Sequence, residues 1–592
     1  MTNGVFGKSD NFKSEYSCAV VEVGELSPID GSDFLAKTDV FGTQIVVRRD
    51  QVKTGDIMLY AANETQLNEK FLSVNNLYEL SLRDKNSNAD ELNKIMEGYE
   101  PFRKKADVLK SEAKQVKSSI EQLTKKSNKL SKEVAKKIKQ LDDFDESSEE
   151  HRVLSEEIKT KKEKSEESLK KAMSKTTAYT NLKTEIKNLV DEGKVFVDEA
   201  NKKCGFFNKY GRVRCITLKG TPSFGFLFSP EELMKFDGSI TMSDIVSYLG
   251  QEFDTVNGEL FVKAFVPPLP PENTKSNKNR AQKRVNEFDR MIEGEFFFHY
   301  NTEQLQKNIS LINPEDIVDI TVKKHGTSLI VGKLHVKNRI KLPIYKSAWN
   351  KFIDYTGLLK KYRITDYSVG YGPVYSSRTV IKNRYINDRV GDGFYGYDIW
   401  SEYGEIIYPY LEEGMTVYGE ICGYLTGSES QIQKTYDYGC DKGENNVMFY
   451  RITTTNDDGS KLEWNVQDVL EWTEGLIKRM KSENNENWKR ISPINLLYHG
   501  TLEDLYPEID TSSHWHENVL KAMENDKEHF GMEENEPLCT FNEVPREGIC
   551  LRKFNDKRPE CWKLKTQSFM LGEAVRMDAG EVDAEMSEGY GA

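Results

Sequence analysis

The chain has no apolar run long enough to span a bilayer, and its start, Met1 to Tyr16, lacks the basic-then-apolar order of a secretory signal. Both absences leave a cytoplasmic protein with no membrane partner as the expectation. Cysteine is sparse: eight in 592 residues, with no Cys-x-x-Cys spacing. That argues against a zinc site and against a disulfide framework, and for reduced thiols. His514-x-His516 is at most half a metal site, with no second ligand pair nearby in sequence. An excess of positive charge is missing too. The formal net charge is −13, which does not advertise nucleic-acid binding, although a basic groove can sit on an acidic protein.

What is present is length and pattern. The chain is long enough for about two to four domains, each with its own core. Residues Ser17–Val23, Gly42–Val47 and Asp56–Ala61 are short β-rich runs split by turn residues, which predicts a small antiparallel sheet or barrel. The pattern resumes at Gly205–Leu218, read as a strand with Arg212 and Arg214 on one face, and at Gly225–Phe228. Between these halves lies material of another kind. Leu109, Ala113, Val116, Ile120, Leu123, Ser127, Leu130, Val134, Ile138 and Leu141 are spaced almost entirely by fours and threes, the seam of a coiled coil. A weaker series runs through Leu154, Ile158, Leu169, Ala172, Leu182, Ile186 and Leu189. Both ends must return to one small domain, so an antiparallel hairpin is predicted, with its tip near Phe144 and arms of about 50 Å.

The fold expected is α+β. A small β domain (1–84 and 201–265) is split by the helical insertion (85–200). A Pro- and Lys-rich linker (266–294) leads to a mixed domain (295–577) and an acidic tail (578–592). The mixed domain contains the apolar run Ile317–Val322 followed by Lys323-Lys-His-Gly-Thr-Ser328. A lysine leaving a buried strand just before a glycine is partly desolvated and well placed to be a nucleophile. Strand alternation puts Lys323 on one face with His325, which favours it over Lys324. Further on come Ser376-Ser-Arg-Thr379, the strand Thr416–Ile421 with Glu420, the strand Asn446–Ile452 with Tyr450, the run Glu547-Gly-Ile-Cys-Leu-Arg552, and Trp562-Lys-Leu-Lys565. Each alone is common. Their order is not.

That ordered set resembles motifs I, Ia, III, IIIa, IV and V of the covalent nucleotidyltransferases, the superfamily of polynucleotide ligases and RNA-capping enzymes. It is most similar to the RNA ligases of bacteria and bacteriophages that carry an N-terminal OB-type domain. Ile45–Asp56, Phe71–Tyr78 and Gly211–Gly220 agree with such a domain. The resemblance implies a nucleotidyltransferase domain of antiparallel, ATP-grasp-like sheets, with ATP and Mg²⁺ or Mn²⁺ as cofactors. It implies an ATP-dependent enzyme that joins 3′-hydroxyl and 5′-phosphate RNA ends, nicks in duplexes included, through a lysyl-AMP intermediate. A capping guanylyltransferase, a DNA ligase, or a coiled-coil scaffold with a vestigial ligase domain are the alternatives, and the helical arm is a candidate surface for a protein partner.

Residue by residue, Lys323 matches the nucleophile, with His325 and Gly326 beside it. Glu420 matches the ribose-binding carboxylate and Tyr450 the base-stacking aromatic, with Phe449 a core residue on the opposite face. Glu547 matches the metal-binding carboxylate. Lys563 and Lys565 match the cations that neutralise the α-phosphate, and Arg378 the phosphate-binding arginine of motif Ia. Val322 departs from the pattern, since many relatives place a glutamate directly before the lysine. Arg48, Arg49, Arg212, Arg214 and Lys219 in the N-terminal β domain are candidates for a face that tracks RNA phosphates.

Overall fold

Ile317–Lys323 is the middle of the fold's catalytic-looking half. Its β-branched residues suit an extended strand buried on both sides. It pairs antiparallel with Gly548–Lys553 and with Leu496–Thr501, in a five-stranded sheet completed by Glu560–Lys565 and Glu303–Gln304. A second sheet orders Tyr367–Ser376, Thr327–Arg339, Met415–Gly423, Asn445–Thr455 and Lys461–Glu463. In this computed structural model the described residues are all except 1–3, 142–147, 268–287, 357–363, 386–394, 457, 512–513, 527–528, 531–543, 555–559 and 582–592. The hairpin tip at Phe144, most of the linker and acidic tail, and Cys539 lie outside them. The seven other cysteines are free thiols.

The chain divides into two compact units: Met1–Thr65 with Val213–Pro230 and Met242–Ala592, and Gln66–Arg212 with Glu231–Thr241. In the first unit, alternation sorts each strand into an apolar and a polar face. In the five-stranded sheet Val318, Ile320, Ile549, Leu551, Trp562 and Leu564 join one core with the helix Trp515–Asn525. In the second sheet Leu329, Val331, Val417, Ile421, Val447 and Phe449 pack on the helices Ile399–Ile407 and Val466–Ser482. Phe449 is thus in the core, as its place on the strand predicts. The opposite faces of both sheets carry the polar residues and are left to line a cavity.

The N-terminal part of this unit is β-rich. Cys18–Glu22, Ile57–Ala61, Phe226–Phe228 and Glu252–Phe253 form one four-stranded sheet, and Ser27–Pro28, Leu35–Val40 and Thr43–Arg48 a three-stranded one. Ala19, Val21, Ala36, Ile45, Val47 and Tyr60 share a core. The two sheets adjoin where Phe224 N–H donates to the Gln44 carbonyl at 2.9 Å and Val46 N–H to the Ser223 hydroxyl at 3.0 Å. The predicted strand at Gly205–Leu218 shrinks to Ile216–Leu218.

The second unit is dominated by two helices of 53 residues, Ala89–Leu141 and Glu149–Asn201. Each is about 80 Å long at 1.5 Å per residue, longer than the 50 Å expected. They are antiparallel: Ser127 bonds to Ser165 at 2.9 Å, and Lys137, Lys161 and Lys203 pair with Glu157, Glu133 and Glu91. Small residues line the contact, including Ala106, Ala113, Ser127, Ser165 and Ala172. Gly98 fits this pattern, since a β-carbon there would lie 2.4 Å from the Phe196 ring. Two seam assignments fail: Ile138 is 47% and Leu169 48% exposed. A straight helix drifts about 20° per heptad from a strict repeat, so a seam read over many turns rotates off the contact.

One buried ion pair holds the second sheet near the cavity. Arg451 Nε lies 2.7 Å from Glu463 Oε1 and its Nη2 2.9 Å from Oε2, and its guanidinium stacks on Tyr418 and Tyr300 at 4.4 and 4.6 Å. Glu463→Ala strands that guanidinium and should cost roughly 3–5 kcal/mol, read as a lower urea midpoint of the fluorescence transition. A wild-type midpoint would show that Arg451 finds another partner.

Candidate active site

The polar faces of the two sheets enclose a cavity of about 710 Å³. From the five-stranded sheet, alternation delivers Thr321 and Lys323, Cys550 and Arg552, and Cys561, Lys563 and Lys565. From the second sheet it delivers Ser328, Glu420, Met448 and Tyr450. His325, Gly326, Arg378 and Glu547 also line it, so every catalytic, nucleotide and metal residue expected from the sequence faces one space.

Register explains the centre. Lys323 pairs with Gly548, and Gly548 in turn with Lys565, so Glu547 sits at the strand entry between two lysines. Lys323 Nζ is 2.9 Å from Glu547 Oε1, Lys565 Nζ 3.7 Å from the same oxygen, and His325 Nδ1 4.0 Å from Oε2. Burial alone would raise the Glu547 pKa, but Lys323, Lys565 and His325 outweigh it and hold it down at about 2. For Lys323 burial acts to lower the pKa. Glu547, with Cys550 and Glu420, reverses that and pushes it up. The lowered lysine pKa expected of a nucleophile is therefore not found, because the nearest charged neighbour is an anion. Lys324 also borders the cavity, but its ammonium lies 5.4 Å from the Tyr438 ring centre.

Glu420 braces the turn after the lysine. Gly326 N–H donates to its Oε1 at 3.0 Å and the Ser328 hydroxyl to Oε2 at 3.5 Å. His325 N–H donates to the Tyr438 hydroxyl at 2.7 Å. Gly326 is required here by the neighbouring strand, since a β-carbon would lie 2.2 Å from the Ile421 carbonyl oxygen. Tyr450 owes its position to an irregularity. Tyr418 pairs with Arg451 and Gly419 with Phe449, so Tyr450 is the extra residue of a β-bulge. Bulges re-aim side chains in this way. Arg552 Nη2 donates to the Tyr450 carbonyl at 3.1 Å, and the His299 ring meets the tyrosine edge-on at 5.3 Å.

Sequence reasoning missed four residues here. Glu15, from the N-terminal strands' lead-in, is ion-paired with Lys563. Burial opposes its ionisation, yet Lys563, Lys565 and Arg378 together keep its pKa low. Glu573 lies 3.2 Å from Lys565 and lines the same cavity. Arg552 and His299 complete the wall by Tyr450. Arg552 was legible as the last residue of its motif. Glu15, Glu573 and His299 carry no local signal, since only folding brings them in. Arg378 donates to Asn301 at 2.9 Å.

The five candidate RNA-tracking cations do not line the cavity. Arg212 is only 2% exposed, so it cannot form part of a surface that tracks phosphates, and it does not share an open strand face with Arg214. Arg214 is 3.3 Å from Asp578, and Arg48 pairs with Asp50 at 2.7 Å. Arg49 is exposed, and Lys219 occupies a left-handed turn at φ 50°. His516 Nε2 lies 2.9 Å from the Ile312 carbonyl and His514 Nδ1 3.5 Å from Glu517, an ordinary arrangement rather than half a metal site.

No family profile matches the sequence, and no curated protein matches it. Among solved structures, the chain is similar to an RNA ligase of Naegleria gruberi. One ligand-free mutant of that ligase matches with a TM-score of 0.41 at 13% identity, over 94% of this chain and 98% of that one. A mutant with ATP and Mn matches with a TM-score of 0.41 at 13% identity, over 93% and 98%. One with AMP and Mn matches at 0.40 and 12%, over 94% and 98%. Scores this low carry no argument, and the functional reading has to come from the site.

Two outcomes follow from the charges. Removing Glu547 removes the anion that keeps Lys323 protonated, so Glu547→Gln lowers the lysine pKa and raises its neutral fraction at any given pH. Without nucleotide, acetic anhydride at pH 8 should modify Lys323 several-fold faster in that variant, read by peptide mass mapping. Equal rates would mean that Glu547 does not hold the proton. Glu15→Gln leaves Lys563 and Lys565 less compensated, and should tighten the binding of inorganic triphosphate in calorimetry; weaker binding would make Glu15 a ligand-side residue instead.

Proposed function

We propose that this chain is an ATP-dependent RNA ligase that joins 3′-hydroxyl and 5′-phosphate ends through a covalent lysyl-AMP. The observation that carries this reading is the Lys323–Glu547 pair, 2.9 Å long, flanked by Lys563 and Lys565 and facing Glu420 and Tyr450 across one cavity. The Lys323 amine, once neutral, attacks the α-phosphorus of ATP. A P–N bond forms, the bond to pyrophosphate breaks, and the amine gives up its proton. Lys563 and Lys565 neutralise charge that builds on the phosphate oxygens. AMP then passes to the 5′-phosphate of an RNA end, and a 3′-hydroxyl displaces it as the phosphodiester closes.

A divalent cation fits the residues present. Glu547 Oε2 is buried and has no hydrogen-bond partner among the described residues, which leaves a hard oxygen for Mg²⁺ or Mn²⁺. No group of three or more acidic, histidine or cysteine ligands occurs among the described residues, so phosphates and water would supply the remaining positions. Bound there, the cation would neutralise phosphate charge. The base has Tyr450 to stack on. With Val322 in place of a carboxylate, the polar group at that wall is Arg552, whose Nη1 is buried without a hydrogen-bond partner among the described residues.

Incubation with α-labelled ATP and Mg²⁺ should leave label on the protein, and Lys323→Ala should abolish it. No label on the wild type, or equal label on the variant, would overturn the assignment. Parallel labelling with GTP separates a capping enzyme, and nicks with ribose or deoxyribose 3′ ends separate a DNA ligase.

A further inference from the structure

The helix Ile344–Thr356 wears its apolar face outward. Ile344 is 89% exposed, Tyr345 70%, Trp349 40%, Phe352 53% and Tyr355 93%. Spacings of four, three and three put Tyr345, Trp349, Phe352 and Tyr355 on one stripe, with Ile344 beside its start. The rotation of the helix is fixed by its other side. Ile353 is fully buried, and Asn350 brackets the backbone of Ile364, accepting from its N–H at 2.9 Å and donating to its carbonyl at 2.8 Å. The outward stripe is therefore what this sequence builds. An exposed apolar patch of this kind marks an interaction site.

Charge decides the partner. From Lys337 to Thr356 the chain carries Lys337, Arg339, Lys341, Lys346 and Lys351 against the single acid Asp354, in a protein of net charge −13. Protein-docking faces are depleted in lysine, whereas single-stranded nucleic acids are held by aromatic platforms set among cations. The Trp349 and Phe352 rings are already near-parallel, 27° apart with centroids at 6.0 Å. We propose that the stripe of Tyr345, Trp349, Phe352 and Tyr355 is a stacking platform for unpaired bases of an RNA strand, with Arg339, Lys341 and Lys351 taking its phosphates. The choice of RNA over DNA rests on the ligase reading; the platform itself does not.

The platform also implies a length requirement. It follows the strand Thr327–Arg339, whose 13 residues span about 40 Å from the nucleophile's end. That is roughly a dozen stacked nucleotides at 3.4 Å each. Only substrates at least that long can use both sites.

The test is fluorescence anisotropy of the full chain with a labelled, 5′-phosphorylated 24-nucleotide RNA, single-stranded or annealed throughout to its complement. The double variant Trp349→Ala, Phe352→Ala should lose about ten-fold or more in affinity for the single strand. It should lose little for the duplex. Trp349→Phe with Phe352→Tyr should bind as the wild type does. Unchanged affinity in the alanine variant overturns the proposal, as does a wild-type dimer in sedimentation that the variant breaks while RNA affinity stays the same. In every variant the label taken from α-labelled ATP should match the wild type. If the wild type takes no label, the ligase reading falls, and the anisotropy still judges the platform.

Discussion

The contact on which the rest depends is the ion pair between Lys323 and Glu547. It spans adjacent antiparallel strands, and its 2.9 Å length follows from a register in which Lys323 faces Gly548. The buried carboxylate of Glu547 would be costly alone, and the half-buried Lys323 compensates it. Together they let a strand from the middle of the chain carry an ammonium into the cavity, while keeping that ammonium protonated until something draws the carboxylate away. The same two residues are thus a structural clasp and a chemically poised pair.

The clasp does not stand alone. Lys565 and His325 share Glu547, Glu573 answers Lys565, and Glu15 answers Lys563. Positive and negative charges alternate through the floor of the cavity, so each charge of the cluster is compensated by a neighbour. Phosphate binding would substitute one set of anions for another. Across the cavity the second sheet offers less charge and more shape: a braced turn at Glu420 and an aromatic set outward by a bulge.

How much of this was legible follows from locality. The strands that carry the matched residues could be read locally, and alternation foretold that Phe449 would be buried while Tyr450 was not. His325 lies past the end of the strand Ile317–Lys323, so the turn and not alternation sets its place on the cavity wall. The bulge that turns Tyr450 was invisible, because it belongs to the pairing between two strands. Glu15 and Glu573 were invisible because acidic residues are frequent in this chain and only the fold selects them. Arg212 misled for the converse reason: an arginine in an alternating stretch looks exposed until its neighbours cover it. The helical hairpin was plain in its spacing, yet its length and the outward turn of Ile138 and Leu169 depend on how two long helices drift past each other. The helix Ile344–Thr356 has the periodicity of a core helix, and nothing local tells that its apolar side faces out.

Glu547, Lys563 and Lys565 all arrive on the strands Gly548–Lys553 and Glu560–Lys565 or at their entry. This bears on the chain's life on the ribosome. Lys323 is translated well before its counter-charge Glu547 and before Lys563 and Lys565, which come on neighbouring strands. A nascent chain can form much of the second sheet, whose strands are all made by then, but it holds Lys323 without the clasp. Stalled or prematurely terminated chains would carry Lys323 without Glu547, Lys563 and Lys565, so the charge cluster is completed only once these strands and Glu573 have been made.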